Sequence, residues 1–368
     1  MEIILLLVFF YGLFIFISII GFSLNNFQIK FNNKSKVFDS SLSLIIPFRN
    51  ESKRVLRLLE SINRQATLSC VDKLIFVDDH STDQSYEILK NWISKNPYNC
   101  ELKKLQSYYG KKRAIDFAIS STDTDYILVL DADTSFKPNF FKKLAHLSVK
   151  DVDLYIFPVV EDNGVFYSRL ISYVISIITI GMASLKLPIL ANGAALFFKK
   201  SSYQKINPFN NNFHISSGDD MFLLKKFNEN NLNIKSIYSH ELIVYTEGSK
   251  NFKNMILRSL RWSGKMNSSG FNLTIIFGIL VLICNLFIWP LIIYAYLYSE
   301  PKFLILILIK FLTDFIVLLF ASFKFKNFSI IKYSIVTFLF YPLILKIILF
   351  LSVIKYRFKW KEREVINS

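Results

Sequence analysis

A chain of 368 residues that is 52% hydrophobic, with a mean hydropathy of +0.36, is too long for one ordinary domain and too apolar to be wholly soluble. Its net charge of +16 asks for an anionic partner, and in so apolar a chain the headgroups of a membrane meet that need without nucleic acid. Cys70, Cys100 and Cys284 have no metal-ligand spacing and no evident reason to pair, a pattern that fits a reducing compartment.

In chain order, the first element is the apolar run Ile3 to Ile20. No basic residue precedes it and no small-residue cleavage site follows, so residues 1–22 read as a retained transmembrane anchor. Glu2 lies before it, and Lys30, Lys34 and Lys36 follow in a linker over 23–40. That asymmetry places what comes next in the cytoplasm and the protein in a cell membrane.

Residues 41–268 alternate between strand and helix patterns. "SLSLIIPF" (Ser41 to Phe48), "KLIFVDD" (Lys73 to Asp79), "YILVLDAD" (Tyr126 to Asp133) and "DLYIFPVV" (Asp153 to Val160) are short apolar runs of the buried-strand kind. Between them, "RVLRLLESINRQ", "DQSYEILKNWISK" and Lys111 to Ser121 carry helical periodicity. A further helix opens at Pro138, and Ser81 and Gln84 have the spacing of a capping box for the second helix. The fold class is therefore α/β with a mostly parallel sheet. Segment Val165 to Leu187 is apolar but carries Arg169 and Lys186, and it reads less well as a span than as a helix lying against the domain or the membrane interface.

Beyond this domain, over 269–354, the segments Leu273 to Tyr298, Phe303 to Phe323 and Ile330 to Ile354 each approach the ~20 residues that span a bilayer. Taken as full spans they carry the basic tail (355–368, with "KYRFKWKERE" over Lys355 to Glu364) to the outer side, where so basic a tail does not belong. One C-terminal segment is therefore expected to re-enter or lie in the interface, with Tyr341-Pro342 as the expected break. Lys310 and Asp314, four residues apart, are expected to pair, with an acceptor path as the other reading.

Asp-x-Asp occurs three times, at Asp123/Asp125, Asp131/Asp133 and Asp151/Asp153, and position separates the three. In open α/β sheets ligands bind beyond the carboxyl ends of the strands. Only Asp131/Asp133 directly follows a strand. Pro47-Phe48-Arg49-Asn50-Glu51 and Asp78-Asp79-His80-Ser81 reach the same edge. Two carboxylates about 5 Å apart repel by roughly 3 kcal/mol at an effective dielectric near 20. A cation must sit there, and Mg²⁺ or Mn²⁺, completed by substrate phosphates, suits hard oxygen donors. Lys111, Lys112 and Arg113 at a helix start either meet a diphosphate or form a solvated face. His214 and His240 are further candidate ligands, although a lone loop histidine usually is not one. Phosphate-loop and dinucleotide glycine patterns are missing.

In order and spacing, "SLIIPFRNE", "FVDDHSTD", "GKKRAIDFAI", "LDADTSF", "SGDDMFL" and "RSLRW", from Ser43 to about Gly264, resemble the membrane-bound family-2 glycosyltransferases with the GT-A fold. The resemblance implies an inverting, metal-dependent transfer of sugar from a nucleotide sugar, with UDP-sugars foremost, to a lipid or envelope-glycan acceptor. Pro47, Phe48, Glu51, Asp78 and Asp79 then match the nucleoside site, and Lys111 the lysine of a glycine-lysine motif. Asp131 matches the residue meeting ribose, diphosphate and metal, and Asp133 the more direct metal ligand. Asp220 takes the place of the catalytic base, and Asp219 replaces the usual glutamate.

Gly193 falls near the acceptor, permitting close approach or easing a bend. In "RSLRW", Arg261 and Trp262 match the family's Gln-x-x-Arg-Trp, but Arg258 stands where glutamine is usual. That departure weighs against the alternative of a processive polysaccharide synthase. A membrane transporter or structural protein with a nucleotide-sugar-binding module is the non-enzymatic alternative, and it predicts binding without transfer.

Overall fold

The computed structural model describes residues 2–28, 40–147, 149, 151–213, 215, 217–269, 272–298, 301–354, 356–360 and 363–365. Lys30, Lys34, Lys36, His214 and part of the basic tail lie outside the described residues. The chain divides into two compact units.

The first unit, Leu24–Asp162 with Ala183–Glu247, holds the α/β sheet. Its strands are β1 (Leu42–Phe48), β2 (Lys73–Asp78), β3 (Cys100–Lys104), β4 (Tyr126–Leu130), β5 (Thr134–Phe136), β6 (Leu154–Ile156), β7 (Val159–Glu161), β8 (Ala195–Lys199), β9 (Ile234–Ser236) and β10 (Val244–Thr246). The main sheet has the order β3-β2-β1-β4-β8-β6-β9. Strands β1 to β4 run parallel, and β8 is antiparallel to both β4 and β6. Every residue of β1 and β4 is buried, as near-continuous apolar runs demand when helices cover both faces. From β1 the chain builds outward to β2 and β3 on one side and to β4 on the other, so the strand order reverses there. Such a reversal opens a crevice at the carboxyl ends of β1 and β4.

Helix α2 follows α1 (Glu2–Gln28) and runs over Val55–Asn63, burying Val55, Leu58, Leu59 and Ile62 along one helical stripe. Helices α3 (Ser85–Ser94), α4 (Lys111–Ser120) and α5 (Phe140–Ala145) follow, with Phe140 and Phe141 packed in the core beside Phe136 and Phe157. Two local expectations need correction. The capping box at Ser81 does not form: α3 begins at Ser85, whose N–H bonds Asp83 at 3.0 Å, while the Ser81 N–H bonds Asp78. The run Asp153 to Val160 is not one strand. Pro158 lacks the N–H needed to continue a ladder, so β6 ends in the main sheet and β7 joins β10 and β5 in a second sheet.

The second unit, Met1–Ser23, Asn163–Met182 and Gly248–Ser368, is helical apart from a short terminal hairpin. It contains most of α1 and of α6 (Phe166–Ser184). Helices α7 (Lys200–Ile206) and α8 (Asp219–Glu229) belong to the first unit. The second unit continues with α9 (Phe252–Ser269), α10 (Asn272–Leu286), α11 (Ile288–Tyr298), α12 (Pro301–Lys324) and α13 (Ser334–Val353). Among the described residues, five segments are long and apolar enough to cross a membrane: Glu2–Asn25, Phe166–Ser184, Leu273–Tyr298, Pro301–Lys324 and Phe328–Val353.

The sheet topology removes α6 from that set. Strand β8 follows α6, yet it pairs with β4 and β6, which precede it. A single crossing by α6 would put partners of one sheet on opposite sides of the bilayer. The non-spanning reading of Val165 to Leu187 is the one that agrees with this pairing. Gly181 lets α6 meet α1: a Cβ there would come within 1.9 Å of the Ser18 carbonyl oxygen.

The break expected at Tyr341-Pro342 is not found. Helix α13 runs through Pro342, and the interruption falls instead at Phe287, between α10 and α11. Proline removes one helical bond, and neighbouring side chains support the turns before it. Trp289 Nε1 donates to the Leu339 carbonyl at 3.0 Å and the Tyr167 hydroxyl to that of Val336 at 3.0 Å.

Lys310 pairs with Asp314 at 2.5 Å and with Asn285 Oδ1 at 2.8 Å, and the Tyr11 hydroxyl donates to Asp314 at 2.7 Å. Polar groups from α1, α10 and α12 thus satisfy one another, with Lys310 only 1% exposed. Asp314→Leu strands that buried ammonium and is expected to cost about 3 kcal/mol or more. The Lys310→Met/Asp314→Leu double variant removes both charges and should recover most of the loss. Thermal unfolding of detergent-solubilised protein checks this; a double variant no more stable than Asp314→Leu contradicts it.

Candidate active site

The carboxyl ends of β1, β2 and β4 are held together by their own loops. Asn50 and His80, just past β1 and β2, have φ of 50° and 58°, the left-handed conformation that turns a chain sharply. Arg49 donates to the carbonyls of Asp79 and His80 at 2.8 Å each, and the Asp79 N–H donates to the Phe48 carbonyl at 2.9 Å. Asp79 in turn accepts the Gly110 N–H at 2.9 Å, which fixes the start of α4 beside β2. Gly110, at φ 113°, supplies the backbone freedom that this turn needs.

Lys111, the first residue of α4, is the centre of the arrangement. Its Nζ lies 2.8 Å from Asp131 Oδ1, 2.6 Å from Asp219 Oδ2 and 2.8 Å from the Gly193 carbonyl oxygen. Burial disfavours the ammonium, but Asp131 and Asp219 outweigh it and leave the lysine pKa raised. Burial pushes the Asp131 carboxyl up, and Asp133 and Asp219 push it further against the pull of Lys111. The peptide of Gly193 links the next group: its N–H donates to Asp220 Oδ2 at 3.1 Å. Asp219 and Asp220 open α8 after Gly218, at φ 88°, and both are buried. A Cβ on Gly193 would stand 2.8 Å from Asp219 Oδ2 and 3.2 Å from Lys111 Nζ, so only glycine fits without displacing them.

Asp133 meets a second cation. Arg54 NH1 is 3.3 Å from Asp133 Oδ2, while Arg54 Nε is 2.7 Å from Glu51 Oε2 and 3.7 Å from Glu247 Oε2. One turn along α2, Arg57 pairs with Asp162 and Ser135. Sequence reasoning missed Arg54 and Glu247. The i,i+3 spacing of Glu51 and Arg54 was a usable signal for the first. Glu247 follows β10, a three-residue strand with no periodicity to mark it.

The structure thus brings Lys111, Asp131, Gly193, Asp219 and Asp220 into one connected cluster, with Asp133 tied to Arg54 beside it. Three of the expected nucleoside residues have buried side chains at this edge. Phe48 is 2% exposed with its ring in the core, and Pro47 is buried within β1. The Glu51 carboxylate is 3% exposed and faces Arg54. These residues shape the edge from behind. Asp78 accepts the Ser81 N–H at 2.9 Å and shapes the loop, whereas Asp79 faces the start of α4. Arg258, Arg261 and Trp262, all half-buried, belong to α9 in the helical unit. His240 bonds Lys137 at 2.7 Å. The other Asp-x-Asp pairs hold turns: Asp125 accepts from Ser41, and Asp153 from Ser202 and Asn233.

Among the described residues, no group of three or more His, Cys, Asp or Glu side chains is gathered closely enough to hold a metal ion. The donor set at Asp131 and Asp133 is a pair of hard oxygen ligands. Such a pair fits Mg²⁺ or Mn²⁺, which are bound through one or two carboxylates plus substrate phosphates. It does not fit an all-protein cage.

A model of glycosyl transferase family 2 matches residues 43–205, and a model of glycosyl transferase family group 2 matches residues 126–358, more than half of the chain. A Mycoplasma pneumoniae protein described as an uncharacterized glycosyltransferase is 30% identical over 124 residues, covering 32% of this chain and 40% of that protein. The dolichyl-phosphate beta-glucosyltransferase of Dictyostelium discoideum is 32% identical over 114 residues, covering 28% and 35%. The match thus spans less than half the length of these curated relatives. Among solved structures, the mannosyltransferase PcManGT of Pyrobaculum calidifontis, in complex with GDP-Man and Mn²⁺, superposes with a TM-score of 0.54 at 9% identity. The superposition covers 95% of this chain and 98% of that one, a likeness of fold alone. The α/β sheet is of the GT-A kind, and with a family model over most of its length the chain belongs to the family-2 glycosyltransferases.

Proposed function

We infer that this glycosyltransferase moves a sugar, with inversion, from a nucleotide sugar to a lipid or envelope-glycan acceptor at the cytoplasmic face of a cell membrane. The observation that carries the reading is the chain of contacts from Asp131 through Lys111 and Gly193 to Asp220. It joins a carboxylate pair suited to a metal and diphosphate to a separate carboxylate suited to a proton. Uridine is the proposed nucleoside; the Pyrobaculum relative was solved with GDP-Man, so guanosine donors belong in any screen.

In this reading Asp79 and the loops after β1 and β2 take the nucleoside. Lys111 presents its ammonium to the diphosphate as negative charge builds on the leaving group. Asp131 and Asp133 would hold a divalent ion, Mg²⁺ or Mn²⁺, which when bound adds Lewis-acid stabilisation of that charge. Asp220 accepts the proton of the acceptor hydroxyl as its oxygen attacks the anomeric carbon. Gly193 keeps Asp220 oriented by donating its N–H to Oδ2. A single displacement of this kind inverts the anomeric centre. Arg258, Arg261 and Trp262 are proposed to serve the diphosphate or the acceptor, arginine through phosphate contacts and the indole through an apolar sugar face.

Four helical segments besides α6 have the length and composition of spans, which supports membrane attachment and an amphiphilic acceptor. The domain limits drawn from the sequence, 1–22, 23–40, 41–268, 269–354 and 355–368, stand as a proposal. One adjustment follows from the contact pattern: residues 163–182 group with the helices.

Donor turnover by purified protein, screened over UDP- and GDP-sugars with extracted lipids as acceptors, tests the assignment. Asp220→Asn should lower kcat about 10²- to 10⁴-fold with donor KM little changed. Chelation or Asp133→Ala should remove activity that Mg²⁺ or Mn²⁺ restores only to the wild type. Turnover unchanged in both variants contradicts the reading. Gly193→Ala, in which the new methyl group displaces Asp219 and Lys111, should fold normally and lose at least roughly tenfold in kcat. Wild-type kinetics in that variant would mean the Lys111 cluster is not used in turnover.

A further inference from the structure

Arg54 is shared among three carboxylates by unequal contacts. Its Nε lies 2.7 Å from Glu51 and 3.7 Å from Glu247, and its NH1 lies 3.3 Å from Asp133. Charge-assisted N–H···O bonds are shortest near 2.7–2.9 Å. Glu51 makes the shortest ion pair, on the Nε side, while NH1 makes the hydrogen bond to Asp133. Glu51 is also the most buried of the three, so the arginine is anchored from behind and reaches toward Asp133 with its far end. A second cation brought to Asp133 would be repelled by that guanidinium and would compete with NH1 for Oδ2, whereas both glutamate contacts are made at Nε.

We propose that Arg54 is a displaceable resident cation: it neutralises Asp133 until a divalent ion arrives with the nucleotide, then stays tethered to Glu51 and Glu247. The inference rests on the metal-dependent reading above and adds a regulation of that site. Without nucleotide, ion binding must overcome the positive charge of Arg54, so the free enzyme holds the ion weakly. The diphosphate supplies the negative charge that offsets it. Arg54 is a positioning residue here, coupling ion uptake to donor binding through Asp133.

The test is Mn²⁺ titration of the full chain in detergent, read from the free-ion signal by electron paramagnetic resonance, with and without UDP. In the absence of nucleotide, Arg54→Gln should bind Mn²⁺ about tenfold more tightly than the wild type. The tightening produced by UDP should shrink by a similar factor. Arg54→Lys, whose single ammonium cannot reach both Glu51 and Asp133 as a fork does, should bind about threefold more tightly and carries the test if Arg54→Gln does not fold. Asp133→Ala should abolish binding in every background. Folded Arg54 variants that bind Mn²⁺ no more tightly than wild type, while Asp133→Ala still abolishes it, overturn the inference alone. Binding that survives Asp133→Ala overturns the metal reading with it.

Discussion

Placing several carboxylates at one sheet edge carries an electrostatic cost, and the structure meets it with cations from the chain itself. Lys111 lies between Asp131 and Asp219, and Arg54 reaches Asp133. Without them, like charges a few ångströms apart would drive protonation or splay the loops. The rest of the edge is arranged to keep these contacts. Gly110 starts α4 with Lys111 in place, Asp79 fixes Gly110, and Gly193 leaves room where any side chain would collide. The fold thus builds an acidic site whose charged groups hold one another. Preorganisation of this kind places charged groups before the reaction rather than during it.

The parts of this account legible from sequence were those with strong local signals. Continuous apolar runs marked β1, β2 and β4, and the position of Asp131 and Asp133 after a strand separated them from two other Asp-x-Asp pairs that hold turns. What escaped was set by long-range pairing. The single strand read over Asp153 to Val160 divides at Pro158 because β7 finds its partner in β10, nearly ninety positions along the chain by number. Arg54 was not singled out, since nothing local announces that Asp133 and Glu247 lie across from it. Positive charge, expected at the aspartate pair on Coulomb grounds, is supplied by side chains: Lys111 at Asp131 and Arg54 at Asp133. Phe48 and Glu51 belong to a motif read as ligand-facing, and their side chains are buried.

The helical unit obeys a different solvent. Within its apolar helices Lys310, Asp314, Asn285 and Tyr11 satisfy one another across three helices. Hydropathy alone could not decide whether α6 crosses. The sheet decides it, because strands on both sides of α6 in sequence are neighbours in space. Four candidate spans remain.

The most direct measurement is an experimental structure of the chain with UDP and Mn²⁺ bound. The account predicts the diphosphate at the carboxyl ends of β1 and β4, the ion on Asp131 and Asp133, and Asp220 facing the open side of the sugar position. A nucleotide lodged elsewhere, with Lys111 still closed upon Asp131 and Asp219 and no ion at Asp133, would contradict it.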